Sequence, residues 1–189
     1  MATANAPVTV GGKDMTEHIE FSWVYDASPH DVFRMVTRLD HLDEKAAYLG
    51  HRGHRILELR ERDGIFRSVT RRQVDAELPR WAPGVIQPRN TITQTQLWQQ
   101  PTYDGSRRYD VHVEVGGVPV TIDGEGVLTG IHYTTTRYDI RLDIHSAMPV
   151  LGRRVERLVA AQFETTIDGE HEFRMLWLGR RGQQSNWGG

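Results

Sequence analysis

A series of short alternating segments joined by turn signals fills the middle of the chain and constrains the fold most strongly. Polar and apolar residues alternate in "HRILELRE", "IFRSVTRRQVDA", "RRYDVHVEV" and "TTRYDIRLDIH", and a period of two predicts β-strands. Asp63-Gly64 and Gly116-Gly117 separate such segments, and these dipeptides are typical of tight hairpin turns. The pattern therefore predicts a meander of about six antiparallel strands.

Helix and strand signals flank this meander on its amino-terminal side. In "MTEHIEFSWVYD", aromatic residues occupy alternate positions and predict a first strand. Ser28 can cap the helix that follows, and Pro29 suits its first position. A second short helix is predicted in "DHLDEKAAYLG", with Gly50 closing it. The order is thus one strand, two short helices and then the meander.

A long helix is predicted after the last strand, beginning at Pro149. Its apolar stripe runs through Val155, Val159 and Phe163 and reaches Trp177 at helical spacing. Gly169 lies inside this stretch, where a glycine costs about 1 kcal/mol relative to alanine, so we expect a bend or a break there. The segment after residue 178 is rich in glycine and polar residues and is expected to be disordered.

Composition narrows the classes of function. With 189 residues, 38% of them apolar, the chain can form one domain with a substantial core. A net charge of −2 provides no field that favours nucleic acid or an anionic membrane. No apolar run approaches the roughly 20 residues of a membrane helix, and the start lacks a secretory pattern. We therefore expect a cytoplasmic protein with a disordered extension at 1–15, one domain at 16–178 and a disordered tail at 179–189.

Ready-made chemical sites are scarce in the sequence. The chain has no cysteine, which excludes disulfides and thiolate ligands or nucleophiles, and we find no nucleophile elbow, phosphate loop or dinucleotide fingerprint. A group of polar residues near the end imitates half of a carboxylate–histidine metal motif; it comprises Glu164, Asp168, His171 and Glu172. Its acidic members fall largely opposite the apolar stripe, so we expect a solvated face.

His51 and His54 lack an evident third ligand. The sequence thus predicts no metal and no cofactor. Glu170 continues the inward stripe and is the first candidate for an acid–base group, with a pKa expected to rise on burial.

Longer segments resemble a known family. They are "FSWVYDASPHDVFRMVTRLDHLDEKAAYLG", "QTQLWQ" and "PVLGRRVERLVAAQFETTIDGEHEFRMLWL". Together with the order of elements, they resemble the START-like or SRPBCC superfamily, with its helix-grip, birch-pollen-allergen-like fold, and more narrowly an actinobacterial family of START-like domains of unknown function. The resemblance implies an α+β fold, in which a curved antiparallel sheet of about six to seven strands wraps a long C-terminal helix. It also implies a cavity between sheet and helix for an apolar or amphipathic molecule.

The residues expected to line this cavity face the sheet–helix interior or flank its mouth. They are Phe21, Trp23, Leu57, Trp81, Tyr109, Val111, Tyr138, Ile140, Val159 and Phe163. Trp81 belongs to a proline-rich loop at 77–90, and loops of this length are often functional.

For two predicted strands, at 64–76 and 90–100, the sequence does not decide which face points inward, because both faces of each strand are semi-polar. Arg67 and Arg71 share a face of the first with apolar residues. An inward arginine could bind a ligand carboxylate, although a solvent-exposed position is expected for both.

The leading hypothesis is a carrier or sensor for a lipid-like or polyketide-like molecule. The first alternative is a cyclase, dehydratase or hydrolase that uses the same cavity. The second is a protein-interaction module without a functional cavity. A binding protein is favoured over an enzyme, with a hydrophobic small molecule as partner, no nucleic acid, no integral membrane contact, and a monomeric or weakly dimeric state.

Overall fold

The computed structural model describes residues 16–82 and 86–185, with side chains described as far as residue 180. The extension expected at 1–15 lies outside the described residues. The elements are β1 (Glu17–Tyr25), α1 (Pro29–Val36), α2 (Leu39–Tyr48), β2 (Arg52–Arg62), β3 (Ile65–Asp75), β4 (Arg89–Trp98), β5 (Arg107–Gly116), β6 (Val120–His132), β7 (Thr135–Ser146) and α3 (Gly152–Ser185).

The strands form one antiparallel sheet of seven strands in the order β1-β7-β6-β5-β4-β3-β2. Strands β2 to β7 are a meander of hairpins, and β1 pairs with β7 at the far edge. The curved sheet packs α3 against its concave face, where α3 contacts β1 and β7. The predicted helix-grip fold, with two short helices after the first strand, is confirmed.

Turn and cap residues adopt the backbone that the sequence requires. Asp63 and Gly64 both have positive φ, at 53° and 75°, as the tight β2–β3 hairpin demands. At the start of α1, the backbone N–H of Asp31 donates to Ser28 Oγ at 3.1 Å, and Pro29 occupies the first helical position. The predicted cap and hairpin are therefore present.

Helix α3 differs from its prediction at both ends and in the middle. It begins at Gly152 rather than Pro149 and continues without interruption through Gly169. A Cβ at Gly169 would lie 2.8 Å from Leu49 Cδ2, so this glycine allows the end of α2 to pack closely against the helix.

The tail expected to be disordered from residue 179 is helical as far as Ser185, and residues 186–189 lie outside the described part. The prediction of disorder came from the polar composition of the tail and did not take into account the packing on either side of residue 179. Trp177 is packed in the core one turn earlier, and Arg180 extends the contact by pairing with Glu44 at 3.2 Å.

The pairing register resolves the two ambiguous strands. The inward side chains of β3 are Phe66, Ser68, Thr70, Arg72 and Val74, and those of β4 are Asn90, Ile92, Gln94, Gln96 and Trp98. Arg67 and Arg71 are exposed, as expected. The interior of this half of the sheet is therefore partly polar.

Candidate ligand-binding site

A cavity of about 470 Å³ lies between the first half of α3, strands β3 and β4, and the loop before β4. We call it the outer cavity. Its apolar walls comprise Val74, Ile86, Ile92, Val115, Val118, Leu158, Val159 and Phe163. Exposed Asp75, Glu77 and Thr165 form its rim, and Gln162 Nε2 donates to the carbonyl of Glu77 at 3.2 Å. The volume falls within the range of about 300–1,000 Å³ that small-molecule sites occupy.

Beyond the outer cavity, a largely buried ionic group lies against the second half of α3. It comprises Lys45, Arg72, Glu170 and Arg174, and we call it the inner cluster. The two carboxylate oxygens of Glu170 are engaged separately, Oε1 by Lys45 Nζ at 3.1 Å and Oε2 by Arg174 Nη2 at 2.5 Å. The cavity left between these groups is about 30 Å³, enough for about one water molecule. This end of the sheet–helix interface is therefore filled with polar side chains.

The charge state of Glu170 is set by its cationic neighbours. Burial by itself raises the pKa of this carboxyl, but Lys45, Arg174 and Arg72 together outweigh burial and lower the pKa to about 2. The expectation of a raised pKa is wrong, although the predicted inward position of Glu170 is correct. Burial alone was foreseeable from the stripe on α3, whereas the convergence of three cations was not.

Two histidines border the inner cluster in neutral form. Burial lowers the pKa of His41 to about 3, and the nearby Lys45 and Arg174 contribute. Burial also lowers the pKa of His51 to about 4, with Arg72 as the next influence. Burial also lowers the pKa of Lys45, while the charge of Glu170 acts in the opposite direction. The inner cluster thus brings three basic side chains around a single carboxylate.

Arg72 connects the two ends of the interface, because its side chain lines both the outer cavity and the space inside the inner cluster. Its exposed fraction is 7%. Its Nε has no hydrogen-bond partner among the described residues, and no carboxylate in the described part of the chain lies within 4 Å to form an ion pair. Burial lowers the pKa of this guanidinium, while the charge of Glu170 acts in the opposite direction.

Sequence reasoning missed Arg72, although a signal was present. Arg71 and Arg72 are adjacent in a strand whose side chains alternate between faces, so one of the two had to point inward. The pairing of β3 with β4 decides that Arg72 is the inward residue.

The predicted lining residues divide into three groups. Val159 and Phe163 line the outer cavity. Tyr138 borders the inner cluster. The hydroxyl groups of Tyr109 and Tyr138 share a hydrogen bond of 2.7 Å, in which either can be the donor. The remaining inward residues of the sheet are core residues that do not line the outer cavity, namely Phe21, Trp23, Val111 and Ile140.

Two further predicted positions lie elsewhere. Leu57 is 48% exposed, and the prediction that it points inward is wrong. The register of β2 against β3 shifts between Ile56 and Glu58, so Leu57 is the extra residue of a bulge and loses the alternation. Trp81 packs against the core, and the loop contributes Glu77 and Ile86 to the outer cavity instead.

The acidic group on α3 does not form a metal site with its histidine. His171 stacks on Trp23 with ring centroids 5.1 Å apart, and its Nδ1 lies 2.9 Å from the Tyr25 hydroxyl. Asp168 and Glu172 are exposed. Across residues 16–82 and 86–185, no three histidine or acidic side chains are grouped so that they could hold a metal ion.

Comparison with known proteins places this architecture in a family. Residues 20–178 match the family described as "Protein of unknown function (DUF2505)". The chain belongs to this family. A comparison with curated proteins found no match.

Solved structures support the same fold at low sequence identity. The aromatase/cyclase Zhui from Streptomyces sp. R1128 is similar with a TM-score of 0.62 and 17% identity, over 88% of this chain and 95% of that one. A START superfamily protein from Mycobacterium smegmatis has a TM-score of 0.54 and 16% identity, over 84% and 98%. The norcoclaurine synthase of Thalictrum has a TM-score of 0.54 and 11% identity, over 94% and 99%.

At these identities the similarities establish the fold alone, which is the START-like, helix-grip fold. The resemblance expected from the sequence is thereby confirmed. No helix in the part of the DUF2505 chain that the structure describes has the length and apolarity needed to cross a bilayer.

Proposed function

We propose that this protein binds an apolar or amphipathic small molecule, lipid-like or polyketide-like, in the outer cavity, and acts as a cytoplasmic carrier or sensor. The observation that carries the proposal is the cavity of about 470 Å³ with largely apolar walls. A ligand gains about 25 cal/mol for each Å² of apolar surface that it buries against such walls. A solid interior would instead have favoured an interaction module.

Two residues that line the outer cavity, Arg72 and Asn90, each carry a buried polar atom that a ligand could engage. Arg72 Nε is a donor and Asn90 Oδ1 an acceptor, and neither has a partner among the described residues. The amide of Asn90 is oriented by Nδ2, which donates to the Gln87 carbonyl at 2.8 Å. A mostly apolar pocket with a few such groups is typical of small-molecule sites.

The test is native mass spectrometry of the purified protein, followed by organic extraction and identification of anything released. A stoichiometric bound molecule with an apolar body would support the proposal. A clean mass of the free chain, unchanged after incubation with lipids and aromatic polyketide-like compounds, would contradict it.

A variant in the cavity wall connects the bound molecule to this site. Val159→Arg places a charged chain in the outer cavity and is expected to abolish binding, while the helix content by circular dichroism survives. The unfolding free energy should fall by only about 1–2 kcal/mol, because the arginine can extend towards the open rim. Asp168→Arg introduces the same residue at an exposed position of α3 and should retain binding. Complete unfolding of Val159→Arg would show that this position is solid core.

An enzyme that uses the same cavity is the second candidate, and one observation favours it. His51 lines the small space inside the inner cluster rather than the outer cavity, it is kept neutral there, and its Nδ1 has no partner among the described residues. A neutral imidazole has a free nitrogen that can accept a proton, although a pKa of about 4 makes His51 a weak base. Glu170 is held ionised by two cations and is poorly suited to proton transfer. If the wild-type protein converts the extracted molecule to a product, and the His51→Gln variant does not, the enzyme is favoured over the carrier.

A further inference from the structure

We propose that the ligand of this protein carries one carboxylate, which binds Arg72 at the inner end of the outer cavity. The inference rests on the proposed function and adds the charge and the chemical class of the ligand's polar group. Its apolar body would occupy the outer cavity.

The basic side chains of the inner cluster outnumber its carboxylates. Arg72 and Arg174 are buried and Lys45 is largely buried around Glu170, whose two oxygens accept from Lys45 and Arg174. The neighbouring histidines are neutral, so they do not change this balance. Buried charges are ordinarily paired, and Arg72 is the cation of this group that has no carboxylate in contact among the described residues.

The position of Arg72 also favours a ligand anion. Arg72 lies between the outer cavity and the inner cluster, and its Nε is buried without a partner in the part of the chain that the structure describes. An anionic group that reaches the end of the outer cavity would therefore meet a guanidinium that is already desolvated and held in place by β3. Hydrogen bonds to charged groups are stronger under such conditions.

The shape of the site favours a carboxylate among anions. The guanidinium fork matches the planar pair of oxygens of a carboxylate. The space inside the inner cluster is only about 30 Å³, which leaves no room for a bulky polar group beyond Arg72. A single planar anion at the end of an apolar body satisfies both conditions.

The experiment compares two probes with the same apolar body, dodecanoate and methyl dodecanoate, by titration calorimetry at neutral pH. Wild-type protein should bind dodecanoate about tenfold or more tightly than the ester, because a hydrogen bond to a charged group is worth that much. In Arg72→Gln this preference should vanish while binding of the ester persists. Arg71→Gln removes the adjacent, exposed arginine of the same strand and should retain the preference.

The outcomes separate this inference from the proposed function. Equal binding of acid and ester to wild-type protein would overturn the carboxylate and leave the apolar site standing. A preference for the acid that survives in Arg72→Gln would also overturn the role of Arg72. Failure of both probes to bind wild-type protein would contradict the apolar site itself, and the inference with it.

A measurement on the wild type keeps the inference testable if Arg72→Gln does not fold. NMR of dodecanoate with an isotope-labelled carboxyl carbon reports the ionisation of the bound probe directly. Contact with a guanidinium predicts that the bound carboxylate stays ionised to lower pH than the free one. A bound carboxyl that protonates at the same or higher pH than the free acid would overturn the proposal.

Discussion

The outer cavity and the inner cluster occupy two ends of one sheet–helix interface, yet they fill it in opposite ways. The first half of α3 contributes Val159 and Phe163 and leaves about 470 Å³ open. The second half contributes Glu170 and Arg174 and leaves about 30 Å³. One end therefore has apolar walls and space, and the other has buried charges and almost no space.

This difference separates the residues that determine stability from those that determine binding. Changes in the outer cavity remove contacts that a ligand would make, whereas changes in the inner cluster leave buried charges without partners. Buried ion pairs contribute little net stability as a whole, but removal of one partner is costly. We therefore expect large stability effects at one end of α3 and large binding effects at the other.

The largest stability effect is expected for Glu170→Gln. It leaves Lys45, Arg72 and Arg174 buried around a neutral amide, and breaking a buried ion pair in this way costs about 3–5 kcal/mol. Urea denaturation measures the loss in unfolding free energy. Glu172→Gln, at an exposed position of the same helix, should change it by less than about 0.5 kcal/mol. Similar small losses for both variants would show that the inner cluster is not a coupled network.

Acid should destabilise the same end of the molecule in two stages. His41 and His51 have lower pKa values when folded, about 3 and 4, than the ordinary 6.5. They bind fewer protons in the folded state, so the unfolding free energy falls as the pH drops below 6.5. At pH 5 the loss is about 2 kcal/mol for His41, and less for the partly exposed and screened His51.

Glu170 then contributes a second stage of acid destabilisation. Its folded pKa is lowered from 4.5 to about 2, so the stability it provides above pH 4.5 is lost as the pH falls towards 2. Denaturation at a series of pH values should show both stages. His41→Leu should flatten the first stage, while His132→Gln, at an exposed position, should preserve it. An unchanged slope in His41→Leu would contradict the neutral, buried state of His41.

The smallest stability effect within the inner cluster is expected for Arg72→Gln. Arg72 has no carboxylate in contact among the described residues. Its removal relieves repulsion of Lys45 and loses only a longer-range attraction to Glu170, so the two effects partly cancel. The unfolding free energy should stay within about 1 kcal/mol of the wild type, or rise. A loss as large as that of Glu170→Gln would mean that Arg72 stabilises the fold, and would remove the contrast between Arg72 and the rest of the cluster.

The sequence predicted the architecture well because periodicity and turn chemistry are local signals. Alternation located the strands, Asp63-Gly64 located a hairpin, and the stripe on α3 placed Glu170 inside. The inner cluster was not predictable in the same way. Lys45, Arg72 and Arg174 come from α2, β3 and α3, and no local pattern brings them together. Leu57 was misplaced because a bulge interrupts the alternation on which the prediction depended.

The most direct test of the contrast between the open outer cavity and the filled inner cluster is an NMR titration with dodecanoate. The protein carries labelled isoleucine, leucine and valine methyl groups. We expect shifts of Ile86, Leu158 and Val159, which line the outer cavity, while Ile19 and Val32 in the core remain unchanged. Shifts confined to the exposed Leu39 and Leu176, or none at all at saturating probe, would show that the outer cavity does not receive a ligand.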